Sequence, residues 1–374
     1  MSDTATQPLH ARIRDQFHRR ILTGDLNPGD RLPAEAQIMT QFHVSRGTVS
    51  RAMRDLEQLG ILQRRRGAGT FVRRCESRDQ LALRHVTMFA PWATSGEAIG
   101  FVQSAIHHEL SRVCSQHDML LSLQCVAAEG ASLRDRMFNA ARSLLARNIK
   151  TVLFCPVELP HEQMHVNREV VDLLVAGGAN VVLMDRDIAC HPDRSEFTWV
   201  SFDNHRGGAM LVKHLVQQGY RRIAFVGLSY ESTAVSQRMG GYLDGLRACG
   251  LPVDDGLVFA PEVADEAFCD HLLTSAQPDA VICKDADMAA GMSRMLSARG
   301  VRIGAEIGLA GFDDAPVMSL LPVPVTVIRQ PVEPFVSALY RVLQSFIEED
   351  NHAFEGEQVV IRTELIPRAS TSRG

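Results

Sequence analysis

The side chains equipped to act on another molecule fall into two groups with different chemistry. In the first, Arg46, Thr48, Ser50 and Arg51 follow Ser45 within one short stretch, and Arg64, Arg65 and Arg66 crowd together before Gly67 and Gly69. Guanidiniums and short hydroxyls reach base edges and phosphates in a major groove, so this cluster points to DNA. Three arginines alone would equally describe a solvated face; the neighbouring polar stretch gives them a target. The second group lies further along, where Asp185-Arg186-Asp187, residues 284–287 and Asp313-Asp314 gather carboxylates and cations. Such groups hydrogen-bond vicinal hydroxyls in pairs, as a sugar-like ligand requires.

One further spacing, His161-Glu162-Gln163-Met164-His165, matches HExxH. On a helix it would set two histidines on one face for zinc, with the glutamate as general base. The chain has 14 histidines and no third ligand follows, so the match is read as chance, with a zinc hydrolase through His161, Glu162 and His165 kept as a minor alternative. Gly67-Ala68-Gly69 precedes no helix and is not a dinucleotide loop, and no nucleophile elbow or Walker loop stands in the sequence. The expectation is no catalytic residue, no metal and no cofactor.

The first cluster needs a small helical head to position it. Leu9, Ile13, Phe17 and Ile21 recur every four residues and predict a first helix ending before Gly24; Pro28-Gly29 makes a turn. A second helix begins around residues 33–35 and turns Ile38 and Met39 inward. Ser45 then caps a third helix with Val49, Met53 and Leu56 on its core face. Arg46, Thr48, Ser50 and Arg51 fall on the opposite face. Residues 62–72 read as strand, glycine turn and strand, a wing beside a helix-turn-helix.

The second group needs a different frame. Apolar runs at 85–90, 119–126, 151–155, 180–184, 222–226, 280–283 and 308–311 alternate with helical stretches at 101–116, 169–176, 207–218, 236–249 and 288–299. That alternation predicts doubly wound parallel sheets, two of them by count, which bind ligands outside the carboxyl ends of their strands. The loops there hold Pro91-Trp92, Pro156, Asp185 to Asp187, residues 227–233, residues 284–287 and Asp313-Asp314.

Charge divides the same way. The 374 residues carry a net charge of −5, yet residues 1–80 hold 14 Arg, no Lys and 9 Asp or Glu, leaving 25 basic and 35 acidic residues for the remainder. The basic end is the one suited to phosphate. Eight cysteines show no CxxC pairing, which fits reduced, half-buried thiols in a cytoplasm. No signal core and no apolar run of about 18 residues stands in the chain, so neither secretion nor membrane contact is expected.

Residues 9–72 resemble the winged helix of the GntR family, and residues 85–369 resemble the effector domain of the LacI family, a periplasmic-binding-protein-like fold. The second likeness rests on MDRD from Met184, VSFDNHRGGAMLVKHLVQQGYRRIAFVG from Val200, RMGGYLDGL from Arg238, PDAVICKDADMAAG from Pro278, IGLAGFDDAP from Ile307 and TVIRQP from Thr326. The resemblance implies a winged helix-turn-helix at 1–74, a linker at 75–84 and an α/β effector and dimerisation domain at 85–374. Lobe one is expected at about 85–200 and 331–356, lobe two at about 201–328 and 357–368, with three crossovers as the hinge.

The resemblance also carries residues across. In the head, Arg46 and Thr48 match usual DNA contacts; Ala36 and Ser50 replace positions often held by arginine, for which Gln37 and Arg51 are substitutes. Ser45, Ser50, Arg65, Arg66, Gly67 and Gly69 complete the expected interface. In the effector domain, Asp185, Arg238 and Gln330 fall at positions that usually contact ligand, while Trp92 and Phe101 offer rings for a sugar face to stack on. Ala286 stands where the family commonly has a ligand-binding aspartate, so Asp285 or Asp287 takes over, or the effector is not a simple neutral sugar. An inward Lys284 would favour an acid or a phosphate; its bland reading is a solvated side chain.

The function implied is a homodimeric transcriptional repressor on a palindromic operator in double-stranded DNA. It is released by a small sugar-like metabolite, works in the cytoplasm and is nucleoid-associated when bound. A sugar acid, sugar phosphate or non-sugar effector is the alternative. A solute-binding protein would need a signal peptide and no head, and the aminotransferase-type relatives of the head lack the second series of motifs.

Overall fold

The computed structural model describes residues 8–373 apart from 23–24, 28, 59–60, 66–67, 73–82, 92–99, 127–131, 161–162, 190–191, 228–231, 262–264 and 349–355. The chain forms two compact units, Met1–Leu81 and Ala82–Gly374.

In the first unit, α1 (Leu9–Leu22), α2 (Glu35–Phe42) and α3 (Arg46–Gln58) precede a hairpin of β1 (Leu62–Arg65) and β2 (Gly69–Val72). Ile13, Phe17, Ile38, Val49, Met53 and Leu56 meet in one core, closed by Leu62 and Val72 from the hairpin. Leu9, expected on the buried stripe, is 54% exposed. A strict four-residue repeat drifts about 40° around the helix at each step, so Ile13 and Phe17 face the core squarely while Leu9 has rotated off it. The hairpin is antiparallel, pairing Leu62 with Val72 and Arg65 with Gly69. Leu32 N–H donates to Thr70 O at 2.8 Å and Val72 N–H to Asp30 O at 2.8 Å, stitching the segment before α2 to the hairpin. Gly69 takes φ +121°, and a Cβ there would stand 2.8 Å from Arg31 Nε. The turn residues Gly24 and Pro28 and the linker at 75–82 lie outside the described residues.

The second unit alternates strand and helix. Its elements are β3 (His85–Phe89), α4 (Phe101–Gln116), β4 (Leu120–Gln124), α5 (Leu133–Ala146), β5 (Thr151–Phe154), α6 (His165–Ala176), β6 (Asn180–Met184), β7 (Trp199–Phe202), α7 (Asn204–Gln217), β8 (Ile223–Val226), α8 (Thr233–Ala248), β9 (Val258–Phe259), α9 (Glu266–His271), β10 (Ala280–Cys283), α10 (Ala286–Ala298), β11 (Gly308–Phe312), α11 (Pro316–Leu320), β12 (Thr326–Arg329), α12 (Val332–Glu348), β13 (Gln358–Ile361) and β14 (Glu364–Ile366). Two six-stranded sheets result, ordered β13-β7-β6-β5-β3-β4 and β14-β12-β11-β10-β8-β9. Strands β5, β6, β8, β10 and β11 are apolar and almost wholly buried because helices cover both faces of each sheet. Among the described residues, no helix is long and apolar enough to cross a membrane.

The lobe boundary differs from the expected one. Residues 357–368 were assigned to lobe two, but β13 pairs in parallel with β7 in the first sheet, Val359 opposite Val200. Only β14 joins the second sheet, antiparallel to β12. The reason lies in pairing: β7, placed astride the expected boundary, is held by β6 on one side and needs a partner on the other. The chain therefore crosses between lobes near 203, 330 and 362. The first and third crossings are tied by Asp203 N–H to Ile361 O at 2.8 Å and Thr363 Oγ1 to Asp203 O at 3.2 Å.

Helices α7 and α8 touch backbone to backbone. A Cβ on Gly208 would lie 2.2 Å from Arg238 O, and one on Gly241 would lie 1.8 Å from His205 O. Gly241→Ala is expected to destabilise the second unit by roughly 1–3 kcal/mol through overpacking against main chain that cannot yield. Thermal unfolding of the variant checks this; an unchanged midpoint would contradict the close crossing.

Candidate functional site

In the first unit, the hydroxyls of Ser45 and Thr48 lie 2.9 Å apart, and Thr48 N–H donates to Ser45 Oγ at 3.3 Å, which starts α3. With Val49, Ala52, Met53 and Leu56 buried, the other face of α3 presents Arg46 and Arg51 fully outward and Thr48 and Ser50 partly so. Glu35 at the start of α2 holds two of the nearby arginines, Arg64 at 2.5 Å and Arg46 at 3.7 Å, while the Arg46 side chain stays 82% exposed. Gln37 is exposed on α2, its Oε1 accepting from Ala34 N–H at 2.9 Å. The Arg65 guanidinium lies 4.9 Å from the centre of the Phe71 ring across the hairpin. Arg66 and Gly67 lie outside the described residues. The result is an outward face of guanidiniums, hydroxyls and an amide on two helices and a hairpin, suited to a groove and its phosphates.

In the second unit, a cavity of about 170 Å³ opens between the two lobes at the carboxyl ends of the parallel strands. Each wall comes from a strand-to-helix loop. Phe101 follows β3, Glu158 follows β5, Asp185 and Arg186 follow β6, Arg238 lies on α8 after β8, residues 284–287 follow β10, Asp313 follows β11 and Gln330 follows β12.

Arg238 is buried and bound on several sides. Its Nε donates to Asn204 Oδ1 at 2.9 Å, Nη1 donates to the Lys284 carbonyl, and the guanidinium sits 4.4 Å from the centre of the Phe312 ring. Its Nη2 faces Asp313 Oδ1 at 3.7 Å. Lys284 is also buried, not solvated: Nζ pairs with Asp285 Oδ2 at 2.7 Å and with Glu158 Oε2 at 3.5 Å. Glu158 completes the group through Arg186 Nη2 at 2.9 Å, and Arg186 Nη1 donates to Pro156 O at 3.1 Å. Burial opposes the charge on Glu158, but Arg186, Lys284 and Arg238 outweigh it and lower its pKa. For Arg186, burial is likewise outweighed by Glu158 and the other carboxylates, which keep it firmly cationic.

Three buried polar atoms on the cavity lining have no hydrogen-bond partner among the described residues: Asp185 Oδ1, Asp313 Oδ1 and Gln330 Nε2. Asp185 and Asp313 both take left-handed backbone, φ +64° and +70°, an uncommon conformation that at a ligand cleft is a pointer to function. Burial pushes the Asp313 carboxyl up to about 6, with Arg238 pulling the other way and Asp285 and Asp185 adding to the rise.

The residues singled out from sequence are thus partly brought together. Asp185, Arg238, Gln330, Asp285, Asp287 and Phe101 all line the cavity, and Trp92 lies outside the described residues. Asp285 is otherwise engaged, since Oδ1 caps α10 through Met288 N–H at 2.8 Å and Oδ2 holds Lys284. Asp287 is exposed in the first turn of α10. The acceptor facing Arg238 is Asp313, one loop further along; the sequence marked its loop and not the residue. Glu158 was missed because the loop after β5 was followed only to Pro156. Of the HExxH spacing, His161 and Glu162 lie outside the described residues and His165 opens α6.

Residues 9–72 match the family profile of bacterial regulatory proteins, gntR family, and residues 212–371 match a periplasmic binding protein-like domain. The chain is 21% identical to the arabinose metabolism transcriptional repressor of Geobacillus stearothermophilus over 98% of each chain. It is 40% identical over 83 residues to the mannosyl-D-glycerate transport/metabolism system repressor MngR of Escherichia coli K12, 22% of this chain and 34% of that one. Among solved structures, a complex of the transcriptional regulator CelR with cellobiose is similar at TM-score 0.64 and 22% identity, over 87% of this chain and 91% of that one.

Asp313 has a consequence for pH. Its folded pKa of about 6 lies above the ordinary value of 3.8, so the folded state holds the proton more tightly and stability falls as pH rises between those values. Asp313→Asn removes that fall. Relative to the parent chain, the variant is expected to gain stability from about pH 4 to pH 6 and to hold the gain above it; parallel stability curves across that window would contradict the assignment.

Proposed function

Because the chain joins a gntR-family head to a periplasmic-binding-protein-like domain, we propose that it is a DNA-binding repressor of sugar metabolism whose second unit binds a sugar-like effector between its lobes. The observation that carries this reading is the interlobe cavity, where polar atoms from both lobes and from a crossover are buried without partners. Unsatisfied buried groups are costly, and a polyhydroxylated ligand would satisfy them. The names of the relatives, an arabinose repressor and a regulator complexed with cellobiose, agree with a carbohydrate.

In this reading Arg46, Thr48, Ser50 and Arg51 meet base edges and phosphates in the major groove, Gln37 reaches from α2, and Ser45 anchors the start of the reader helix. Arg65 and Arg66 hold phosphate from the hairpin, whose glycines Gly67 and Gly69 allow close approach. In the cavity, Arg238 Nη2, Asp185, Asp313 and Gln330 bond the ligand's hydroxyls and Phe101, with Trp92, covers its apolar face. Asp287 offers a contact at the mouth. Asp285 acts one step back, holding Lys284.

The protein works as a homodimer in the bacterial cytoplasm on a two-fold symmetric operator. Ligand bridging the lobes favours the closed form, and a difference in DNA affinity between closed and open forms gives release. The chain has the relatives of regulators, and an enzyme reading finds no support among them.

Fluorescence anisotropy with operator and unrelated duplexes tests the head. Arg46→Ala is expected to lose roughly 1–3 kcal/mol on operator DNA and to relax sequence preference. Arg65→Ala should weaken both duplexes alike and lower the salt slope by about one. Operator binding by Arg46→Ala equal to that of the parent would overturn this docking.

A further inference from the structure

The cavity's charges divide into those already committed and those facing a ligand. Five carboxylates, Glu158, Asp185, Asp285, Asp287 and Asp313, line it against three cations, Arg186, Arg238 and Lys284. Two of the cations are tied to one carboxylate: Glu158 reaches Arg186 through Oε1 and Lys284 through Oε2. Asp285 closes on Lys284 from the other side at 2.7 Å. Two donors of the third cation, Arg238, are taken by Asn204 and the Lys284 carbonyl.

The atoms left over are mostly acceptors. Asp185 Oδ1 comes from lobe one and Asp313 Oδ1 from lobe two, each buried without a hydrogen-bond partner among the described residues. A ligand phosphate or carboxylate would meet these bare oxygens while the cations that might hold it stay engaged, and like charges so placed repel strongly. A neutral sugar supplies hydroxyl donors but leaves the excess negative charge uncompensated. An ammonium group supplies both the donors and the missing charge.

We propose that the cavity selects a polyhydroxylated ligand bearing an amine, of the amino-sugar class, and that Glu158 sets this choice by holding Arg186 and Lys284 out of the ligand's reach. The inference rests on the reading of this cavity as the effector site. It turns the buried Lys284, which on sequence alone would have favoured an acid or a phosphate, into evidence for the opposite preference.

The test uses the whole chain and matched probes: D-glucose and D-galactose, their 2-amino forms, their uronates and their 6-phosphates, with inorganic phosphate as a bare anion. Thermal unfolding finds the binders and calorimetry gives their Kd values. The parent chain is expected to bind an amino sugar at least about tenfold more tightly than its neutral parent, and to give no response to uronates or phosphates. In Glu158→Gln, Arg186 and Lys284 are released, and inorganic phosphate should stabilise a chain that it leaves unchanged in the parent. Should that variant fail to fold, Asp313→Asn is the second arm, expected to lose the advantage of the amine over the neutral sugar. A uronate or phosphate that outranks the amine, or a neutral sugar that equals it, would overturn the charge selection and leave the sugar-effector reading standing. Silence from every sugar would overturn that reading, and this inference with it.

Discussion

A guanidinium taken out of water has to find acceptors around its plane, and Arg238 finds them because two helices meet with nothing between them. Gly208 and Gly241 bring α7 and α8 into main-chain contact, which sets the Arg238 side chain between Asn204 on α7, the Lys284 carbonyl after β10 and the Phe312 ring on β11. Three neighbouring segments of lobe two are thereby fixed around one group. Its charge also keeps Asp313 from being more costly than it is, since breaking a buried pair by removing one partner strands the other at roughly 3–5 kcal/mol. The cavity wall is therefore shaped by packing first and charge second.

The same logic extends across the lobes. Glu158, from lobe one, spans to Lys284 of lobe two, and the Asp187 main-chain N–H donates to Thr233 Oγ1 at 2.8 Å across the same gap. Asp187 is a builder and not a ligand group, because its carboxylate accepts from Ile188, Ala189 and Ser195 N–H and folds its own loop. These links favour the lobe arrangement described here. A ligand that satisfies Asp185 and Asp313 together adds to the same side of the balance, and only such a differential contact can shift a two-state equilibrium.

Much of this was legible in the residues. The expected helix at 101–116 and the strands at 180–184 and 280–283 coincide with α4, β6 and β10, because buried parallel strands are near-continuous apolar runs and amphipathic helices repeat at 3.6. The division of the C-terminal strand between lobes was not legible. β13 and β14 are short and half-exposed, and their sheets are chosen by which edge strand lacks a partner, a tertiary fact. In the cavity, Arg238, Asp185 and Gln330 came from motif positions, whereas Glu158 stands in a loop with no periodicity to mark it. Asp285 shows a further limit: sequence can place a carboxylate beside a site without showing that a helix N-terminus and a lysine have already claimed both its oxygens.

The central claim is that ligand in the second unit governs DNA binding by the first. The most direct measurement is the operator affinity of the whole chain, at fixed salt, with and without a saturating cavity ligand. The account predicts a change of roughly 5- to 150-fold, the span of ordinary coupling energies, with the ligand's own affinity altered by the same factor when operator is bound. An operator affinity identical in both states, with the cavity demonstrably filled, would contradict it.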